Sequence, residues 1–298
     1  MTKYNEQDVI QLCLDKLSDI HGTPVRFISS RLLGGGCINH ALKLCCSVGD
    51  FFLKWNAKTP ADLFLKEAEG LNEMRLAENP WLIIPKVIWA KEVNDLPGLL
   101  LMEYLQSSTT TLGFDEHLGM GIAQLHRKTA SVFGFYHPNY CGLTVQDNTC
   151  TDNWAEFFAE RRIWALVQKI NSLREMTVAE LKIYERLVAK IPQLLSHQTI
   201  PSLIHGDLWS GNYMITPNGP ALIDPACYYA DREMELGMMH LFGGFSSTVW
   251  STYRNEFPLP SDWEQRTHLY QLYHVLNHYL LFGGSYGRQA LGIAKEYL

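Results

Sequence analysis

The spacing of apolar residues changes near residue 105, and this change limits the possible folds more than any other feature of the chain. Before it, apolar residues alternate or fall in short runs bounded by turn residues. The segments 25–33, 41–46, 51–55, 84–90 and 99–104 therefore read as strands. Helical spacing appears twice in this half. At 6–20 it is carried by Val9, Ile10, Cys13, Leu14 and Leu17 and stopped by His21-Gly22. At 61–76 one broad face holds Leu63, Phe64, Glu67, Ala68 and Leu71. After a polar stretch at 106–111 the period is mostly helical, over 114–127, 152–170, 178–195 and 262–298. Short strands and turns return only between 204 and 224. The pattern predicts an α+β protein with a small β-rich first lobe, 1–105, and a larger, mainly helical second lobe, 106–298.

Composition closes off several functional classes. The net charge is −6 and there is no run of Lys or Arg, whereas binding a nucleic-acid backbone calls for basic surface. A membrane partner is not expected either. The longest apolar run, around Leu99–Met102, is far short of the ~20 residues that span a bilayer. The first residues lack the apolar core and small-residue cleavage site of a secretory signal. Seven scattered cysteines contain no C-x-x-C and no zinc-site spacing, which suits buried thiols in a reducing, cytoplasmic setting.

Three features carry chemistry. Gly34-Gly35-Gly36 lies between two strands, a context that fits neither a dinucleotide-binding turn nor a Walker A loop. Such a turn lets backbone N–H groups approach a phosphate, and it is equally an ordinary hairpin turn. Lys54 interrupts the apolar run Phe51-Phe52-Leu53-Trp55, and a buried ammonium needs a partner. Glu67, on the apolar face of the next helix, could supply one. The alternative is an edge-strand lysine whose head reaches water. The third feature runs from Ile204 to Asp224. Two short strands flank a turn at 216–220, so Asn212 and Asp224, equidistant from Asn218, are expected to face one another across the hairpin base. An amide oxygen and a carboxylate suit a hard cation such as Mg²⁺. Asp207, five residues before Asn212, is suited to accept a proton from a hydroxyl. The Asp…Asn…Asp order matches kinase-like phosphoryl transfer. The competing reading makes His205 and Asp207 ligands of a metallohydrolase, and no second cluster with ligand spacing supports it.

The chain resembles the fructosamine kinases, within the protein-kinase-like fold shared with aminoglycoside and choline phosphotransferases. The resemblance rests on HGDLWSGN (205–212), DPACYYADREMELGMMHLFGGF (224–245), FGGSYGRQAL (282–291), GGGCIN (34–39), FLKW (52–55), FLKEAEGL (64–71) and LLLMEYL (99–105), and covers nearly the whole chain. It implies a bilobal fold with ATP between the lobes. Gly34, Gly35, Gly36, Cys37, Ile38 and Asn39 would cover the phosphates. Lys54 would contact them and pair with Glu67. Met102 would back the adenine, with the backbone of Glu103 and Leu105 at the base edge. Asp207 would be the catalytic base, and Asn212 and Asp224 would hold Mg²⁺. The implied substrates are ketosamines, free or protein-linked, whose phosphorylation leads to deglycation and repair.

Gly206 stands where protein kinases carry an arginine, and Pro225-Ala226 stands where they carry Phe-Gly, with no activation segment following. Both departures argue for constitutive activity on a small molecule. Acceptor-pocket candidates are Trp209, Tyr228, Tyr229, Asp231 and Glu233; the other reading gives the tyrosines to the core and Asp231-Arg232-Glu233 to an internal ion-pair network. Cys37, in the glycine turn, is a candidate for redox control, so the expected state is a monomer or a Cys37-linked homodimer. Two rival functions stay open: a phosphotransferase for an aminoglycoside- or choline-like acceptor, and a non-catalytic nucleotide sensor.

Overall fold

The computed structural model describes residues 5–34, 39–94, 96–109, 111–174 and 176–298. The expectations for Gly35, Gly36, Cys37 and Ile38, including the Cys37 redox role, lie outside the described residues.

The first half folds as helix α1 (Glu6–His21), strands β1 (Phe27–Leu32), β2 (His40–Cys46) and β3 (Gly49–Asn56), helix α2 (Leu63–Arg75), and strands β4 (Val87–Lys91) and β5 (Gly98–Glu103). The strands make one antiparallel sheet in the order β1-β2-β3-β5-β4. Alternation along β5 explains its unbroken apolar run. Leu99 and Leu101 pack with Val9, Cys13 and Leu17 of α1, while Leu100 and Met102 pack with Phe64 and Leu71 of α2. A strand covered on both faces reads as continuously hydrophobic. On the neighbouring β3, Phe51, Leu53 and Trp55 go to the α1 side. The same alternation turns Lys54 toward α2. Helix α1 starts with a reciprocal cap, in which Asp8 N donates to Asn5 Oδ1 and Asn5 N donates to Asp8 Oδ2, and ends at Gly22 in the left-handed region.

The second half contains α3 (Phe114–His126), the hairpin β6 (Asn139–Cys141) and β7 (Thr144–Gln146), and a long helical segment. That segment begins as α4 (Trp154–Glu156), widens to a π-helix over Phe157–Trp164 and continues as α5 (Ala165–Arg174). The widened turns include Arg162, fully buried and stacked 4.1 Å over the Tyr228 ring. Next come α6 (Val178–Leu194), β8 (Ser202–Ile204), β9 (Tyr213–Thr216), β10 (Gly219–Leu222), β11 (Tyr228–Ala230), α7 (Glu233–Phe242), α8 (Ser247–Glu256), α9 (Thr267–Phe282) and α10 (Tyr286–Glu296). The helical spacing at 262–298 is thus two helices joined at Gly283-Gly284, whose φ values of 70° and 66° break the run.

The apolar interior crosses from one half to the other. Phe64, Leu71, Leu82, Ile84 and Met102 belong to the same core as Ile122, Leu203, Leu222 and Tyr228. Backbone bonds reinforce the join: Ile83 N donates to Pro220 O, Leu222 N to Ile83 O, and Ser108 N to Ile215 O. No helix among the described residues is long and apolar enough to cross a membrane. The six described cysteines are all free.

Leu101 has no exposed surface, whereas Leu112 is almost fully exposed. Leu101→Ala is expected to lower unfolding stability by about 2–5 kcal/mol, and Leu112→Ala to stay within about 0.5 kcal/mol of wild type. Urea unfolding monitored by circular dichroism measures both.

Candidate active site

The site begins with Lys54. Its Nζ donates to both carboxylate oxygens of Glu67 and to Asp224 Oδ1, each at 3.0 Å. The sheet alternation aims the ammonium at α2, and α2 presents Glu67 one helical turn after Phe64. Burial works against the charge on Lys54, but Asp224 and Glu67 outweigh it and hold the pKa above its ordinary value. Burial pushes Glu67 upward, with Lys54 opposing it. Asp224 lies deep among protein atoms, yet 44% of its side-chain surface is exposed. Depth disfavours its charge, Lys54 more than compensates, and the pKa falls below the usual carboxylate value. Asp224 has φ 56°, in the left-handed region that non-glycine residues rarely occupy.

The segment preceding Asp207 is held by a buried carboxylate. Glu235 of α7 accepts from the backbone N–H groups of both His205 and Gly206. Ala226 N donates to His205 O at 2.9 Å. Gly206 has φ 83°, and a Cβ there would lie 2.3 Å from Ala226 O, so both conformation and space require glycine. The His205 ring is fixed at both nitrogens. Ile223 O can only accept, so Nε2 donates to it at 2.8 Å; Asp207 N can only donate, so Nδ1 accepts from it at 3.3 Å. This is a neutral tautomer, and burial accordingly lowers the His205 pKa. With both nitrogens engaged, His205 is not available as a metal ligand.

Asp207 is pushed up to about 8 by burial and by the charges of Glu235 and Asp224, with the Asn212 amide pulling the other way. Asn212 Nδ2 donates to Asp207 O at 2.8 Å and approaches Oδ2 at 3.4 Å. The hairpin corrects the expected pairing of Asn212 with Asp224. Tyr213 pairs with Leu222 and Thr216 with Gly219, so the turn is the two residues Pro217-Asn218 and its centre falls between them. Asn212 is therefore bonded to Ile223, whose N donates to Asn212 O at 3.0 Å, and Asp224 lies one residue beyond.

The remaining candidates fall in different places. Gly34 lies in open space, and Asn39 Oδ1 accepts from Asn56 Nδ2. Met102 is buried beneath the sheet. The Glu103 N–H already donates to Lys86 O, which leaves only its carbonyl for a base edge. Leu105 is half-buried just after β5. Trp209 is 41% exposed, lies over Gly211 and meets the edge of Phe242.

Four acceptor candidates are corrected, because the structure buries all four, and three of them have their polar atoms engaged internally. The Tyr228 ring stacks on Phe157 at 5.9 Å, with the Arg162 guanidinium 4.1 Å from it. Tyr229 donates to Glu73 Oε1 at 2.7 Å. Asp231 bonds to Tyr270 at 2.6 Å and His197 at 2.7 Å. Glu233 is clasped by Arg266 at 2.8 and 2.9 Å.

Sequence reasoning missed Glu235. The signal was present: an acid inside the apolar run Met234-Leu236-Gly237-Met238-Met239, the same anomaly that singled out Lys54. Glu235→Gln keeps one acceptor oxygen and sets an NH₂ group against the second N–H. It is expected to cost about 1–3 kcal/mol in urea unfolding and to lower turnover with it.

Comparison with known proteins gives the family. The fructosamine kinase family model matches residues 9–298. A probable ketoamine kinase of Synechocystis is 35% identical over 291 residues, 97% of this chain and 96% of its own length. The ketosamine-3-kinase of Mus musculus is 35% identical, covering 88% of this chain and 93% of its own. A crystal structure assigned as a fructosamine-3-kinase, from Thermobifida fusca, superposes with a TM-score of 0.83 at 27% identity, over 95% of this chain and 97% of the other. This chain has the protein-kinase-like fold, with a β-sheet in its first half and mainly helices in its second. The chain belongs to the fructosamine kinase family.

Proposed function

We propose that this chain is an ATP-dependent ketosamine kinase, which transfers the γ-phosphoryl group of ATP to a sugar hydroxyl of a free or protein-linked ketosamine. The observation that carries the reading is the 3.0 Å contact between Lys54 of the first half and Asp224 of the second, beside Asp207 and Asn212. Family membership supports the reaction class. The name of the mouse relative supports the 3-hydroxyl as acceptor. The resemblance implies that the phosphorylated sugar then leaves and frees the amine. The free cysteines fit a reducing, cytoplasmic setting.

In this reading Lys54 binds ATP phosphate oxygens, and Glu67 keeps its ammonium aimed at them. Gly34 and Asn39 flank the turn over the phosphates. Met102 backs the adenine, and the Glu103 carbonyl and Leu105 backbone meet its edge. Trp209 offers an exposed ring for the sugar. Asn212 and Asp224 fit a hard dication such as Mg²⁺. Both offer oxygen, the Asn212 amide nitrogen is already turned to Asp207, and two carboxylates, Asp224 and Glu67, share the Lys54 ammonium while the charge of Asp224 also acts on Asp207. Held by Asn212 and Asp224, Mg²⁺ would supply positive charge to neutralise the phosphates. Asp207 orients the acceptor hydroxyl and takes its proton as the new O–P bond forms. The ADP oxygen keeps the electron pair of the bond that breaks.

The test is ATP turnover on a panel of glycated and ribosylated amines, with the product located by mass spectrometry and NMR. Phosphorylation of a ketosamine sugar is expected, and Asp207→Asn is expected to lower kcat by about 10²-fold or more while nucleotide still binds. Turnover only on an aminoglycoside- or choline-like acceptor, or nucleotide binding without turnover on any acceptor, overturns the reading.

A further inference from the structure

Behind the proposed phosphoryl-transfer groups lies a second cluster, made by three separate elements. Cys141 at the end of β6, His274 in α9 and Asp207 each offer one ligand atom, and these atoms lie within 4.8 Å of one another. Cys141 and His274 are buried, whereas Asp207 keeps some contact with the cleft. Thiolate, imidazole and carboxylate form the donor set of a borderline-soft dication, and the thiolate disfavours Mg²⁺. The ligand edges of a tetrahedral Zn²⁺ site with such donors are about 3.3–3.8 Å. Closing the cluster around an ion therefore needs a contraction of about 1 Å at its widest, within reach of side-chain adjustment.

Two further observations point to a missing occupant. His274 Nδ1 and Asn277 Oδ1 are both buried without a hydrogen-bond partner. Asn277 is next to the thiol, its Nδ2 donating to Cys141 Sγ and to Cys141 O at 3.3 Å. Orphaned buried polar atoms are uncommon in a well-packed interior, and two at one cluster call for an explanation. Burial holds His274 neutral, with its pKa pushed down to about 3, so an imidazole lone pair is available. The opposing charge is Arg162, whose guanidinium is directed to Asp147 O and Asn148 Oδ1. A thiolate and a carboxylate together exceed that single positive charge.

We propose that Cys141, Asp207 and His274 form a three-ligand site for a thiophilic dication of the Zn²⁺ class, and that filling it inhibits the enzyme by withdrawing the Asp207 carboxylate from the acceptor hydroxyl. Binding displaces the thiol proton and the proton that Asp207 carries below its raised pKa, both to solvent, and forms one bond each to sulfur, carboxylate oxygen and imidazole nitrogen. The inhibitory half rests on Asp207 being the proton acceptor; the metal-binding half does not.

The test uses Co²⁺ as a spectroscopic stand-in on the full chain after chelation. Wild type is expected to give a thiolate-to-cobalt charge-transfer band saturating at one equivalent and displaced by Zn²⁺. Cys141→Ser should abolish the band. His274→Gln should weaken binding at least tenfold. Cys150→Ser, at an exposed cysteine outside the cluster, should retain the band. With excess Mg²⁺ and ATP, half-inhibition by Zn²⁺, relative to each variant's own uninhibited rate, should need at least tenfold more metal in Cys141→Ser than in wild type. Absence of the band in wild type overturns the proposal whatever the variants do, as does a band that survives Cys141→Ser. A Cys141-dependent band without inhibition overturns the inhibitory half and argues against Asp207 as base. If the chain turns over no ketosamine, the band by itself still decides whether the metal site exists.

Discussion

A buried ammonium must be paired, and the pairing of Lys54 is the constraint on which the rest of the molecule depends. Its two partners come from different parts of the chain: Glu67 from the helix packed on the sheet, and Asp224 from the segment that follows β10. Removing either partner leaves one carboxylate against the ammonium. Removing Lys54 leaves two carboxylates facing one another in a depth where neither is well solvated. The ion cluster therefore works with the shared apolar core and the Ile83–hairpin bonds to set how the sheet meets the helical half. It also makes the geometry of the proposed site a consequence of folding, because the group proposed to bind phosphate is part of the connection between the halves.

The anomalies of burial were the most legible part of the sequence. Lys54 within an apolar strand and Glu67 on an apolar helix face offered a pair, with a lysine reaching water as the alternative, and the structure makes the pair. The segmentation into strands and helices followed from hydrophobic period, with boundaries within a few residues at most elements. Features set by a single residue of register were not legible. Placing the centre of the 216–220 turn on Asn218 made Asn212 and Asp224 partners, and the two-residue turn moves Asp224 one position on. Period also gave no sign of the π-helical widening around Arg162, because a π turn changes the angular step over only a few residues.

The DREMEL segment (231–236) illustrates a different limit. Its acids resemble a polar, substrate-facing surface when read in one dimension. Their partners, His197, Tyr270, Arg266 and the backbone of His205 and Gly206, lie tens of residues away. Local sequence cannot distinguish a carboxylate that awaits a ligand from one already satisfied by the fold. The cluster of Cys141, Asp207 and His274 was invisible for the same reason, since its members are spaced by more than sixty residues.

The two aspartates of the cleft show how the fold divides labour between chemically identical groups. Asp207 and Asp224 both lie deep, and depth raises the proton affinity of each. Asp224 has Lys54 at 3.0 Å, which reverses the effect and keeps it anionic, the state an oxygen ligand for a cation needs. Asp207 has no cation at that distance. Its main polar neighbours are the Asn212 amide and the negative field of Glu235 and Asp224, and its proton affinity stays high. A pair of carboxylates driven apart in this way is suited to two different roles, one to holding charge and the other to exchanging a proton, as the proposed function assigns them. Glu235 contributes twice to that separation. It accepts the two backbone N–H groups that fix the turn before Asp207, and its charge raises the proton affinity of the aspartate the turn presents. A neutral acceptor at position 235 could serve only part of the first role and none of the second, which is a physical reason for a buried acid at that point in α7.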